Sequence, residues 1–150
     1  MSLEDDLKQT KRFVNEYEKT VVNILFTSSW LHNKNACRFK KHGITQEQYN
    51  VLRILRGSYP KSLMLNDISG RMIDKSSNAT RLVEKLRQKE MLKREVCPGN
   101  RRQVDIVITE KGLALLAQID NESEGWFNEL NTISLEEANE LNRILDKLRK

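Results

Sequence analysis

The chain has 150 residues, 31% charged and 38% hydrophobic, with a net charge of +5 and a mean hydropathy of −0.64. That length bounds it at one domain, or one domain with added helices, able to bury roughly two-thirds of its unfolded surface. No apolar run approaches the ~20 residues of a membrane span, and Met1-Ser2-Leu3-Glu4-Asp5-Asp6 lacks the regions of a secretory signal, so secretion, membrane insertion and wholesale disorder are disfavoured.

Cys37 and Cys97 form no C-x-x-C pair and have no histidine at metal-ligand spacing. This predicts a reducing, cytoplasmic compartment with no disulfide framework, metal or other cofactor. The charge is unevenly spread. Residues 1–70 carry 11 Lys/Arg against 7 Asp/Glu, residues 71–102 carry 10 against 4, and residues 103–150 carry 5 against 10. A basic middle block suits a surface that meets a polyanion, although a solvated helix face with surplus lysines would look the same.

Residues 4–35 read as one long helix, with Leu7, Val14, Tyr17, Val21, Ile24, Leu25 and Leu31 at steps of three, four and seven. Such a stripe needs a partner surface. Thr45-Gln46-Glu47-Gln48 fits a capping box opening a short helix over residues 46–56, ended by Gly57 and Pro60. Asn66 can cap a third helix with Ile68 and Met72 inward. Asp74 or one of the serines after it can cap a fourth, running to Lys89 with Ala79, Leu82, Val83 and Leu86 inward. Two short helices joined by a polar turn, the second bearing a Ser/Asn/Thr/Arg face, read as a helix-turn-helix.

Leu92 to Cys97 reads as a strand, Pro98-Gly99-Asn100 as a turn, and Gln103 to Ile108 as the return strand with Val104, Ile106 and Ile108 on one face. Arg101 and Arg102 sit in the connection. Thr109 can cap the next helix, whose stripe is Leu113, Leu116, Ile119, Trp126, Phe127 and Leu130. Ser134-Leu135-Glu136-Glu137 opens a last helix expected to bury Ala138, Leu141, Ile144, Leu145 and Leu148. The fold class is therefore mainly α with a small β-hairpin wing.

The run from Leu65 to Gly112 resembles the core of the MarR family of bacterial transcriptional regulators. The matching pieces are Asp67-Ile68-Ser69, the stretch from Asp74 through Asn78-Ala79-Thr80-Arg81 to Leu86, then Arg94, Arg101-Arg102 and Val107-Ile108-Thr109-Glu110-Lys111-Gly112. The resemblance implies a single winged helix-turn-helix domain in which residues 46–112 form the DNA-binding lobe. Residues 4–35 and 113–150 would supply dimerisation helices, giving a homodimer on one duplex. Two positions depart from the family pattern. Asn100 stands where an aspartate is usual at the wing, removing charge assistance from any hydrogen bond it makes. Glu90 stands where glycine is frequent after the recognition helix, and glutamate disfavours a left-handed cap.

A helix fits the major groove. Asn78 can address adenine bidentately and Arg81 guanine, with Ser76, Ser77 and Thr80 divided between bases and phosphates. Alternatively the serines are only caps, Thr80 is half-buried, and Arg81 pairs with Glu84 or Glu95. Arg101 and Arg102 suit a narrow minor groove, or form a solvated turn. Lys75, Lys85, Lys93 and Arg94 suit phosphates, as do Arg53 and Arg56 unless they are merely exposed. By family analogy, Trp30 and His32 are candidates to line a small-molecule effector pocket, against the alternative of a dimer core. Cys37 and Cys97 read as ordinary free thiols, with oxidant sensing as the alternative.

No Ser/His/Asp motif, metal cluster or Gly-rich phosphate loop points to an enzyme. The leading expectation is a homodimeric, sequence-specific DNA-binding regulator, a ligand-responsive repressor on a pseudo-palindromic operator. The competing one is a protein-interaction module whose dimeric winged helix reads no particular sequence, which the acidic C-terminal third and Asn100 would favour.

Overall fold

Among the described residues, sixteen buried apolar side chains form one core. In a computed structural model of the chain they come from every element between the end of the second helix and the middle of the sixth. The structure describes residues 1–129 and 131–150, the side chain of Arg101 apart. Seven helices and three strands follow in the order α1 (Leu3–Asp6), α2 (Glu16–Lys40), α3 (Gln46–Ser58), β1 (Leu63–Met64), α4 (Leu65–Arg71), α5 (Ala79–Gln88), β2 (Leu92–Cys97), β3 (Asn100–Ile108), α6 (Glu110–Asn128) and α7 (Leu135–Leu148).

The expected helix over residues 4–35 is not continuous. Its apolar steps run on across residues 7–15, but local hydrogen bonds outcompete them. The Ser2–Asp5 capping box encloses a single turn, and Lys8 leaves it at φ 50°. Asn15 then opens α2 afresh, its Oδ1 accepting the Glu18 N–H at 2.9 Å while the Glu18 carboxylate accepts the Val14 N–H at 2.6 Å. An ion pair of 2.7 Å between Lys19 and Glu4 ties the short turn back onto α2. At its other end α2 runs on to Lys40, because Phe39 is buried and stacks on Tyr49 with ring centroids 4.3 Å apart. Gly43 at φ 71° then lets the Ile44 N–H donate back to the Phe39 carbonyl.

Thr45 and Gln48 form the expected capping box of α3. The helix passes through Gly57 and ends at Ser58, since Pro60 forces Tyr59 into extended backbone (ψ 137°). The cap of α4 is not Asn66: the Asp67 carboxylate accepts the Met64 N–H at 3.1 Å, one residue before the helix. Ile68 and Met72 are buried as expected.

The hairpin forms with the expected inward face, Ile106 and Ile108 being buried and Val104 packed against the core. Leu63 and Met64 add a third strand, pairing with Ile106 and Asp105, so that the antiparallel order is β1-β3-β2. Two residues are too few for an alternation to be read from sequence.

Glu90 adopts the left-handed conformation (φ 60°) that its side chain disfavours. The Met91 N–H donates to the Leu86 carbonyl at 3.0 Å and the Glu90 N–H to that of Arg87 at 2.9 Å, a complete Schellman closure of α5. Thr109 caps α6 through the Gly112 N–H. A Cβ at Gly112 would stand 2.3 Å from the Met91 carbonyl oxygen and 2.7 Å from Ile108 Cγ1.

Ser134 and Glu137 cap α7 as expected, but α7 buries nothing. Leu141, Ile144 and Leu148 are exposed, and Ala138 and Leu145 are half-buried, because among the described residues no other element packs closely on that face. In the preceding stripe Leu116 and Ile119 are buried and Phe127 is exposed; Leu130 lies outside the described residues. Tyr17 and Leu25 on α2 are likewise 85% and 65% exposed.

Two substitutions separate these backbone effects by denaturant unfolding. Gly112→Ala is expected to lose about 1–3 kcal/mol by overpacking. Glu90→Gly is expected to gain up to about 1 kcal/mol by relieving the left-handed side chain, offset by the added freedom of the unfolded chain.

Candidate nucleic-acid interface

The sequence Ile73-Asp74-Lys75-Ser76-Ser77-Asn78 contains four residues able to cap a helix. The structure uses two of them, at different points. Asp74 closes the turn: its Oδ1 accepts the Ser76 N–H at 2.9 Å and the Ser76 hydroxyl at 2.6 Å. These two hydrogen bonds, the hydroxyl's first, hold its carboxyl below the usual 3.8. Asn78 caps α5, its Oδ1 accepting the Arg81 N–H at 3.1 Å. Sequence reasoning left the cap to Asp74 or a serine. With Arg81 rather than a glutamate at the third helical position, no capping box marked the true one.

The cap changes what Asn78 can do. A bidentate adenine contact needs Oδ1 as well as Nδ2, and Oδ1 is committed to the backbone. Ser76 is exposed but hydrogen-bonded to Asp74. Ser77 is half-buried, and its hydroxyl oxygen is buried without a partner. Thr80 is exposed rather than half-buried.

Arg81, Lys85 and Thr80 therefore form the outer face of α5. Among the described residues no carboxylate pairs with Arg81 or Lys85. Glu84 instead takes Arg87, at 2.6 and 3.0 Å, and Arg94 at 3.5 Å. The Arg87 bonds chiefly, and the charge of Arg94, hold the Glu84 carboxyl below the ordinary glutamate range. Glu95 pairs with Lys93 at 3.2 Å. Sequence reasoning missed Glu84 as the tie between α5 and the wing, although its spacing of three from Arg87 is the signal for a helical ion pair. Lys75 donates to the Gly70 carbonyl. Lys89, also missed, reaches from the end of α5 to the Gly43 carbonyl and to Gln48 Oε1.

The wing presents the second basic element. The β2–β3 register jumps between Val96 and Cys97, so residues 101–103 lie outside the paired ladder. Asn100 Oδ1 accepts the backbone N–H of Arg102 at 3.1 Å. Asn100 thus shapes the backbone beside the tip. Arg102 is exposed; the Arg101 side chain lies outside the described residues. Arg56 pairs with Asp120 at 2.6 Å, and Arg53 is exposed.

The MarR family model matches residues 44–104, the span from α3 through this basic hairpin. The HTH-type transcriptional regulator MhqR of Bacillus subtilis (strain 168) is 34% identical over 103 residues, 67% of this chain and 68% of its own length. The chain belongs to the MarR family. Its fold is the winged helix-turn-helix of MarR regulators: the Staphylococcus aureus MepR–DNA complex superposes with a TM-score of 0.76 at 22% identity, over 91% of this chain and 97% of MepR. Bordetella bronchiseptica BpsR, whose DNA binding is regulated by 6-hydroxynicotinic acid, gives 0.70 at 21% identity, over 87% and 99%. At those identities the likeness is one of fold.

In this MarR protein Trp30 and His32 do not share a pocket. Trp30 is exposed on a groove between α2 and α6, with the Lys34 ammonium 4.8 Å from its ring centre. His32 lines a separate groove of about 950 Å³ between α2, α3 and α7. Among the described residues no three His, Cys, Asp or Glu side chains converge as metal ligands, and no helix is long and apolar enough to cross a membrane.

Asn78→Ala is expected to cost about 1 kcal/mol in denaturant unfolding, whereas Asn78→Asp, which keeps the capping oxygen, should cost far less. The Asp74 carboxyl is depressed in the folded chain, so its contribution is present above the ordinary carboxylate value and lost as pH falls from there through the lower folded-state value. The Ser76 amide resonance is expected to hold steady from about pH 7 to 5 and to move only below about pH 4.

Proposed function

We propose that the protein is a homodimeric, sequence-specific DNA-binding repressor that answers to a small-molecule effector. On this reading residues 46–112 form the DNA-reading lobe, with α5 entering the major groove and the wing beside it. The helices on either side form the dimer stem. The observation that carries the reading is the outer face of α5: Thr80, Arg81 and Lys85 are exposed together, and Glu84 on the same helix is engaged by Arg87 and Arg94 instead.

Arg81 would read a guanine edge, with Thr80 beside it. Asn78 would offer its Nδ2 while its oxygen caps the helix. Lys75, Ser76, Ser77, Lys85 and Arg94 would meet or position phosphates, which set register without reading sequence. Arg101 and Arg102 would enter the minor groove, where narrow A·T tracts concentrate negative potential.

Dimerisation is supported by the apolar residues the single chain leaves outside. Tyr17, Val21 and Leu25 on α2 and Leu141, Ile144 and Leu148 on α7 are all exposed, and such area marks an association surface. A two-fold dimer places two copies of α5 about one helical turn apart, ~10 bp, so the operator would be a pseudo-palindrome. The fold shared with BpsR supports an effector site at the junction of lobe and stem.

Selection of bound duplexes from a random pool tests the whole reading, and a palindromic consensus is expected. Enrichment of no sequence above bulk duplex would favour the protein-interaction module instead. Arg81→Ala should cost roughly 1–3 kcal/mol of discrimination at one position of each half-site. The double change Arg101→Ala, Arg102→Ala should weaken operator binding and flatten its salt dependence. Ile144→Asp should shift sedimentation at micromolar concentration from dimer to monomer.

A further inference from the structure

Lys89 is the C-cap residue of α5, and its side chain leaves that helix for the corner where α2 turns into α3. Its ammonium donates to the Gly43 carbonyl and, at 3.3 Å, to Gln48 Oε1. Gln48 is only 4% exposed, and its Oε1 also accepts the Thr45 N–H at 3.1 Å. The capping box of α3 therefore fixes this acceptor independently of Lys89. Among the described residues, no other side-chain hydrogen bond joins α5 or its C-cap to α2, to the corner or to α3. The ion pairs of α6 join that helix to α2, the corner and α3, not to α5.

The corner needs such a tie. Gly43 sits at φ 71° with no heavy atom within 4 Å of where a Cβ would stand. Its N–H and that of Ile44 close the end of α2, while its carbonyl has Lys89 as its partner. A glycine without side-chain packing has the widest freedom to turn. Phe39, Tyr49 and Ile44 pack across the same corner, but apolar contact is non-directional and holds the lobe close without fixing its angle. The ammonium is also well placed electrostatically, just past the C-terminal ends of both α2 and α5, where helix dipoles favour a cation.

We infer that Lys89 is a positioning residue that sets the angle of α5 against α2, and through it the half-site spacing that the dimer accepts. The inference rests on the homodimeric DNA-binding reading above and names a residue that governs spacing rather than base choice. The magnitudes support it. Arg81 lies about 12 Å from Lys89 along α5, at ~1.5 Å per residue. A turn of about 10° at the corner carries Arg81 ~2 Å, and its two-fold mate by as much, so the two separate or approach by up to ~4 Å. One base-pair step is ~3.4 Å. Slack of about 10° is therefore worth one base pair of spacing, whereas a specific contact tolerates roughly 0.5 Å.

The test takes the operator from the duplex selection above and moves its half-sites apart or together by one base pair. The native full chain is expected to prefer the selected spacing at least tenfold. Lys89→Met, which keeps the length of the side chain and removes its donors, is expected to reduce that preference to threefold or less, and Lys89→Arg to restore it to within twofold of the native value. A ratio between spacings cancels the general loss of one positive charge. Lys89→Met is also expected to leave the salt dependence of operator binding unchanged. In the duplex-free chain it should speed amide exchange at Gly43 and Ile44 at least fivefold, with the Met91 amide unmoved. A native chain indifferent to spacing overturns the inference, as does a spacing preference that survives in Lys89→Met or unchanged exchange at the corner. A salt slope lowered by about one would make Lys89 a phosphate contact and overturn it equally. Enrichment of no sequence by the native chain would remove the DNA-binding reading and the spacing role with it, while exchange would still decide whether Lys89 braces the corner.

Discussion

The close approach of Gly112 to the Met91 carbonyl is the constraint on which the arrangement of the winged helix depends. Only an unsubstituted backbone lets the first turn of α6 press against the corner where α5 becomes β2. Thr109 locks the corner twice, its N–H donating to the Met91 carbonyl at 3.0 Å and its hydroxyl to that of Glu90 at 2.7 Å. The end of α5, the base of the wing and the start of α6 thus share one joint. Leu86, Met91, Leu92 and Ile108 fill the core beneath it. Fixing this corner fixes the angle between the outer face of α5 and the hairpin, and any surface that must meet a duplex with both elements inherits its geometry from there.

The charge asymmetry of the chain finds its use around this joint. The acidic C-terminal third engages side chains of α2, the residues just after it and α3: Glu129 takes Lys34, Glu122 takes Lys41 and the His42 Nε2, and Asp120 takes Arg56. Arg38 adds hydrogen bonds to the Ser123 hydroxyl and the Ile119 carbonyl. Each exposed pair contributes little alone. Their collective effect is on allocation, because carboxylates engaged on α6 are not available to α5. The acidic segment favoured an interaction module when only composition was known; the structure gives three of its carboxylates, Asp120, Glu122 and Glu129, partners within the chain.

What could be read in the sequence follows a physical line. Thr45, Thr109 and Ser134 caps, the buried faces of α3 and α5 and the alternation of β3 were legible, because each is a local pattern with one solution. The break before α2 was not: its apolar spacing continues through residues whose caps override it, and periodicity carries no term for Asn15 and Glu18. The cap of α5 was ambiguous because Asp74, Ser76, Ser77 and Asn78 compete within five positions. Glu90 was misjudged in the other direction. Its propensity argues against the left-handed turn, but two backbone hydrogen bonds and the burial of Met91 outweigh about 1–2 kcal/mol of strain. The burial assigned to α7 is not made within the chain, where Leu141, Ile144 and Leu148 stay exposed.

The cap at Asn78 bears on how sequence would be read. Recruiting Asn78 Oδ1 to an adenine gives up a helix cap, about 1 kcal/mol, for a contact worth roughly 1–3 kcal/mol of discrimination. The net gain is small, and the end of α5 that must hold Arg81 in place would fray with it. Arg81 has the opposite economy. Its N–H is held by the cap while its guanidinium stays exposed, so its backbone is ordered before any base is met. Ordering an arginine backbone in advance lowers the entropy lost on contact. On the proposed reading, specificity would concentrate on Arg81 and its neighbour Thr80, with Asn78 acting through the backbone that presents them.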